Sequence, residues 1–399
     1  MIEMNMVFNK MKEKTLLHII SGIQYGSLEL TLPDGSTHHF TGKHKGPQAD
    51  MAILHADGIK RMMRDGKMGF CEAYMDGLIT SNRLAELIEL TVLHNDYVEQ
   101  QMQMNMLGTI TQKLNHWRNA NSRTGSARNI AYHYDLGNEF YQSWLDKSMT
   151  YSSAIFGDSK DTLETAQARK YEYLCQLADI QPGDKVLEIG CGWGGFAEYA
   201  ASQKGAKVTG ITISKAQYDF AVNRLKAAGL EDKTDIRLTD YRDIEGTFDK
   251  IISIEMFEAV GKKFWPTYFG KLAQSLKQGG IAALQLISIE HKSFASYESN
   301  PDFIQRYIFP GGMLPSFEAL EAPLMGANLT LSENNGYGSD YAHTLRQWRE
   351  RFLTAWSNVL KDQAFDNRFK RMWELYLAYC EGGFNAGMID VNQIALHHK

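Results

Sequence analysis

Val186-Leu187-Glu188-Ile189-Gly190-Cys191-Gly192-Trp193-Gly194-Gly195 is an apolar run that breaks into four glycines within six residues. Behind the turn signal Pro182-Gly183-Asp184, it reads as a buried strand entering a tight turn and then a helix. Glycines there let backbone approach a ligand that any Cβ would hold off. A dinucleotide-binding turn spaces its glycines Gly-x-Gly-x-x-Gly to seat a pyrophosphate on a helix N-terminus. Gly190, Gly192, Gly194 and Gly195 follow a different spacing.

Strands and helices alternate on either side of this stretch. Asp161 with Glu164 predicts a capping-box start to a helix ending near Ala178. Lys185–Ile189 is a strand, and a helix follows to Ala201. Lys207–Ile213 is a second strand, and Ser214 caps a helix that Gly229 ends. Asp235–Leu238, Lys250–Ile254 and Ile281–Ile287 read as further strands. A last pair near Leu329–Ser332 and Met388–Ala395 brackets a long helical stretch. Such alternation predicts a parallel sheet covered on both faces, with ligands at the carboxyl ends of its strands.

The first 112 residues have another character. Two short strands flank Pro33-Asp34-Gly35, Ala49–Leu54 reads as a third, and Gly58–Met68 and Leu84–Val98 read as helices. This small α+β domain carries no catalytic constellation. From Gln101 to His133 there is no Asp or Glu, while Lys113, Arg118, Arg123 and Arg128 are basic. Residues 113–130 read as a solvated linker, with a patch for anionic headgroups as the alternative.

Composition bounds the function. The 399 residues carry 44% hydrophobic and 22% charged side chains, enough for two domains with full cores. A net charge of −5 argues against a nucleic-acid partner. Cys71, Cys175, Cys191 and Cys380 show neither metal-binding nor disulfide spacing, which suits a reducing cytoplasm. No run approaches the roughly 20 apolar residues of a membrane span. The expectation is therefore a cytoplasmic protein without a metal, touching membrane only peripherally.

Several long segments resemble one family in the right order. The glycine loop resembles the first motif of class I S-adenosylmethionine (AdoMet)-dependent methyltransferases. Ala131-Tyr132-His133-Tyr134-Asp135-Leu136-Gly137-Asn138-Glu139-Phe140-Tyr141 and Met149-Thr150-Tyr151-Ser152-Ser153-Ala154-Ile155-Phe156 are similar to segments of cyclopropane-fatty-acyl-phospholipid synthases and mycolic acid cyclopropane synthases. So are Gly210–Gln217, Met256-Phe257-Glu258-Ala259-Val260-Gly261, Phe309–Pro315 and Asp340–Leu345, while Glu72-Ala73-Tyr74-Met75-Asp76-Gly77 resembles the bacterial enzymes' N-terminal domain. The resemblance covers essentially the whole chain. It implies an α/β fold: a Rossmann-like, seven-stranded class I methyltransferase domain at 131–399, with an acyl-binding insertion at about 288–328. The smaller α+β domain, 1–112, would dock on lipid.

The implied cofactor is AdoMet, touched by Tyr151, Ser152, Glu188, Gly190, Gly192, Gly194 and Gly195. Generic class I enzymes place a carboxylate after the second strand. Here Thr212, Ser214 and Gln217 stand in its place, and Asp240 and Tyr241 would meet the adenine. His133 and Tyr134 would close over the cofactor. The implied reaction adds the sulfonium methyl to a cis double bond of a phospholipid acyl chain. A base must then take a proton from the resulting cation. In the family that base is a bicarbonate held by Cys, Glu, His, Tyr and backbone.

Glu258 and Tyr341 match that set, whereas Ser153 stands for the Cys and Gln285 for the His. Serine and glutamine still donate to an anion, but glutamine never becomes cationic. Bicarbonate or Glu258 itself is then the base, and ring closure or a methylated alkene the product; both pairs stay open. Cys380 matches a cysteine sometimes treated as an active-site residue, although methyl transfer needs no covalent enzyme intermediate. The resemblance further implies a homodimer. A small-molecule N-methyltransferase and a non-catalytic lipid-binding protein are the rival readings, disfavoured by Glu72–Gly77 and by the glycine loop with Glu258.

Overall fold

The computed structural model describes residues 2–103, 136–158, 160–358 and 365–399. The basic stretch 113–130, His133 and Tyr134 lie outside the described residues. Packing divides the chain into two units, Met1–Thr111 with Leu345–Met388, and Gln112–Thr344 with Ile389–Lys399.

In the first unit, β1 (Tyr25–Thr31) pairs antiparallel with β2 (Thr37–Thr41) and parallel with β3 (His44–Ile53). The short β4 (Ile79–Thr80) completes a sheet of order β2-β1-β3-β4. Alternation in β1 sends Leu28 and Leu30 into a core with Met51, Ile53, Ile59, Leu87 and Leu90. Helices α1 (Ile2–Ile20), α2 (Ala56–Met75), α3 (Leu84–Leu93) and α4 (Asn95–Gln103) belong to this unit.

The single helix expected over Leu84–Val98 is two, and His94 explains the break. Its Nε2 accepts the Gln24 and Tyr25 N–H groups at 2.8 and 3.1 Å, so Nδ1 carries the proton and donates to the Leu90 carbonyl at 2.8 Å.

A second difference concerns residues 345–388, which the sequence reading assigns to the methyltransferase domain. They fold with the first unit. Arg371 donates to the carbonyls of Tyr74 and Ile79 and lies 4.1 Å over the Tyr74 ring. A Cβ at Gly382 would fall 2.8 Å from Ala85 O and Glu89 N, so only glycine permits that approach.

The second unit is built on a seven-stranded sheet of order β10-β11-β9-β8-β5-β6-β7. Strands β5 (Lys185–Ile189), β6 (Lys207–Thr212), β7 (Thr234–Leu238), β8 (Phe248–Ile254) and β9 (Leu276–Ile289) run parallel. β10 (Leu329–Gly336) and β11 (Ile389–His398) close the far edge antiparallel.

Successive β5 residues face opposite ways and seed two cores. The short α5 (Asn138–Gln142) precedes the sheet. Val186 packs with Leu174, Phe196, Val208, Ala221 and Leu225, beneath α6 (Leu163–Leu177), α7 (Gly195–Gln203) and α8 (Lys215–Ala227). Leu187 packs with Phe257, Trp265, Phe269, Leu284 and Leu396 on the other face, where α9 (Trp265–Ser275) lies. Each buried Val, Leu or Phe among them contributes about 1.5–3 kcal/mol.

Chain order reverses at β5, which lies between β6 and β8. Ligands of open α/β sheets bind at such a switch point. The cap of α6 is Thr162, whose hydroxyl accepts the Thr165 N–H at 3.2 Å. Asp161, expected to cap, is held instead by Arg169 and the N–H groups of Gly157 and Asp158. β9 runs to Ile289, two residues into the expected insertion. The insertion holds α10 (His291–Ser299) and α11 (Phe317–Gly326). No described helix is long and apolar enough to cross a membrane.

Candidate active site

The glycine turn sits at the carboxyl end of β5. The N–H groups of Gly190 and Cys191 both donate to Ile211 O, at 3.0 and 2.9 Å, tying the loop to β6. Gly190 has φ +82° and a Cβ there would strike Met256 at 2.6 Å. Gly192 has φ +51° with open space where its Cβ would be, the kind of cradle a close-lying ligand needs.

Below the loop, Glu188 is buried, and Oε2 has no hydrogen-bond partner among the described residues. Burial pushes its carboxyl up to about 8, against the opposing charge of Lys170. An orphaned buried acceptor beside an open glycine cradle suits a ligand bearing an ammonium, as AdoMet does. The rings of Tyr141, Trp144, Tyr151 and Trp193 cluster there, with Tyr151 at 5.5 Å from Tyr141 and Trp144. Their faces suit a sulfonium.

After β6, Thr212 Oγ1 donates to Gln217 Oε1 at 2.9 Å and accepts the Ser214 N–H at 3.1 Å. The Ser214 hydroxyl caps α8 through Gln217 N. Both oxygens of Asp240 take the Arg242 guanidinium, at 2.8 and 2.6 Å, and Tyr241 packs 5.4 Å from Tyr268.

A second cluster forms where β8 ends. Glu255 Oε1 accepts the Ser153 N–H and the Gln285 amide, both at 2.8 Å, and Oε2 accepts the Tyr341 hydroxyl at 2.6 Å. Gln285 is oriented by Gln393, whose amide donates to its Oε1 at 3.0 Å. Thr344 and Asp340, on the first turns of α12 (Gly338–Asn358), hold the N–H groups of Ala154 and Phe156. This pins the Ser153 segment beside Tyr341. Burial raises the Glu255 pKa, opposed by its bonds from Tyr341 and Gln285 and by the charge of Lys170. Its φ of +48° is a conformation non-glycine residues rarely adopt.

Three residues singled out from sequence therefore meet, but on a side chain the sequence reading missed. Ser153 contributes its backbone N–H, because its hydroxyl donates to Ala154 O at 2.9 Å. The expected serine side-chain donor is thus corrected to a main-chain one. Glu258 lies apart from these donors, with Oε1 on the Ile287 N–H and Oε2 buried and unpartnered among the described residues. Burial, then the neighbouring Glu255 charge, push its carboxyl up to about 8.

Bicarbonate does not fit here. The donors that would hold it are taken by Glu255, and a further anion would face the like charge of that carboxylate. The missed signal was two acids at Glu255 and Glu258, three residues apart directly after an apolar strand. Cys380 is partly buried on α13 (Asn367–Asn385), in the first unit.

The profile of the mycolic acid cyclopropane synthetase family matches residues 121–394. A tuberculostearic acid methyltransferase of Mycobacterium tuberculosis is 38% identical, across 98% of this chain and 90% of its own. The cyclopropane-fatty-acyl-phospholipid synthase of Escherichia coli K12 is 37% identical, across 87% of each chain. Among solved structures, a mycolic acid cyclopropane synthase in complex with SAH and CTAB superposes with TM-score 0.61 at 28% identity. That likeness covers 68% of this chain and 98% of the other.

Proposed function

This chain belongs to the mycolic acid cyclopropane synthetase family, AdoMet-dependent methyltransferases acting on lipids, and on that premise we propose that it methylates the cis double bond of an unsaturated phospholipid acyl chain, with Glu255 as the base. The observation that carries this reading is the Glu255 carboxylate, held by Ser153 N–H, Gln285 and Tyr341.

AdoMet, when bound, supplies an electrophilic methyl on a sulfonium. Glu188 and the glycine loop would hold it through the ammonium and the close backbone. The alkene's electron pair would form the new bond to the methyl carbon as the S–CH3 pair returns to sulfur, releasing S-adenosylhomocysteine and leaving a cation on the adjacent carbon. Glu255 then takes a proton, and the electrons of the broken C–H bond quench that cation. The net gain is one methylene.

A base works best when its pKa lies near the working pH, and the raised carboxyl of Glu255 moves that way. Tyr341 and Gln285 fix its direction. Loss from the added methyl closes a cyclopropane, and loss from a chain carbon gives a methylated alkene. Glu255 replaces a diffusible anion with a tethered one, and the tether decides which C–H it meets. Buried apolar residues of the insertion, Phe294, Met313, Leu320 and Leu324, would border the acyl chain.

The test is product analysis with AdoMet and vesicles of a cis-monounsaturated phospholipid. Fatty acids gaining one methylene support the reading, and hydrogenation with NMR separates ring from branched alkene. Methylation of an added amine with untouched lipid overturns it.

A further inference from the structure

Lys170 lies midway along α6 with no exposed surface, although a lysine is almost never fully buried without a partner. Its Nζ donates to the Ser152 hydroxyl at 2.6 Å, and a hydroxyl carries no charge to offset the ammonium. Neighbouring bonds lead toward the base. Gln167, one helical turn earlier, donates to Ser152 O at 2.9 Å. Gln393 donates both to Lys170 O at 3.3 Å and to Gln285 Oε1 at 3.0 Å, and Gln285 donates to Glu255.

The acidic groups that act on Lys170 are, from strongest, Glu255, Asp146 and Glu188. Tyr171 offers its ring, 4.7 Å from Nζ. Facing Glu255 are Tyr341, Gln285, Lys170, the Ser153 N–H and the acid Glu258. Lys170 is the cation in both sets. It is also the strongest charge acting on Glu188, beneath the glycine loop.

We propose that Lys170 is a positioning residue whose buried ammonium, anchored on Ser152 next to the Ser153 N–H that holds Glu255, sets the basicity of Glu255. The inference rests on the reading of Glu255 as the base, but its core claim is electrostatic and separately measurable. Without that charge, Glu255 loses the attraction of a buried cation and holds its proton more tightly. Burial itself drives the Lys170 pKa down to about 7, so its charge is most responsive near neutral pH.

The experiment titrates the Glu255 carboxyl by infrared difference spectroscopy in the full-length protein, its band assigned by loss in Glu255→Gln. Lys170→Gln keeps a hydrogen bond to Ser152 without charge, and Lys170→Met tests the same change in an apolar form. Both should raise the Glu255 midpoint by about one pH unit or more. Lys170→Arg, which keeps the charge, should stay near wild type. The alkaline shift should recur in the pH–rate profile with cis-monounsaturated vesicles, while near-UV circular dichroism shows that the variants are folded.

An unchanged midpoint in the neutral variants overturns the proposal, even if activity falls. A shifted midpoint with no lipid methylation by wild-type protein upholds the electrostatics and overturns the base assignment alone.

Discussion

Glu381 in the first unit and Glu255 in the second are carboxylates withdrawn from water by opposite means. Glu381 is 1% exposed and bonded by two guanidinium groups, Arg346 at 2.8 Å and Arg349 at 2.9 Å. Glu255 is bonded by a phenol, an amide and a backbone N–H, none of them charged. Two cations meet the charge of a buried carboxylate with charge-assisted hydrogen bonds. Neutral donors orient it while burial raises its basicity. The first arrangement holds a fold together, and the second keeps a group ready for chemistry.

Breaking the second arrangement has the largest expected effect. Glu255→Gln preserves shape and removes the base, so methyl transfer to lipid should fall about 10²–10⁴-fold. AdoMet binding by calorimetry should be unchanged. Breaking the first should act on stability instead. Arg349→Met leaves Glu381 with one partner, and chemical denaturation should register a loss on the order of 2 kcal/mol, with the rate per folded molecule retained.

The contrast sharpens with pH. The carboxyls of Glu188 and Glu258 stand near 8 in the folded chain against an ordinary 4.5. Between those values the native state keeps protons that the unfolded chain has released. Their contribution is therefore whole below 4.5 and is lost as pH rises through about 8. Melting temperature should decline over that interval, and Glu258→Gln should flatten the decline. Activity should move the other way across its acidic limb, rising as Glu255 ionises.

The smallest effect belongs to Ser153→Cys. The carboxylate is held there by the main chain, so the rate should stay within about twofold of wild type. A large gain in rate, or a switch of product in the lipid assay, would mean that the side chain at 153 reaches the reacting groups.

Sequence was most readable where structure is local. The strand of Val186–Ile189, the turn at Gly190–Gly195 and the Ser214 cap follow from apolar runs, glycine freedom and side-chain-to-backbone bonds a few residues apart. The same kind of reading failed at Asp161, where the guanidinium of Arg169, eight residues on in the helix that follows, takes the carboxylate instead. It failed again at His94, whose ring bonds backbone about 70 residues away. Family resemblance drew attention to Ser153, Gln285 and Tyr341, but not to the residue at their focus.

By itself, then, the chain order of apolar runs and glycines determined the alternating α/β unit and the place of its ligand turn, because those depend on neighbours. Only the tertiary structure decided that residues 345–388 pack with the first unit and that Glu255 gathers donors from positions 153, 285 and 341. Those outcomes depend on which groups desolvate one another across a folded sheet. Burial of that kind has no signature in a linear pattern.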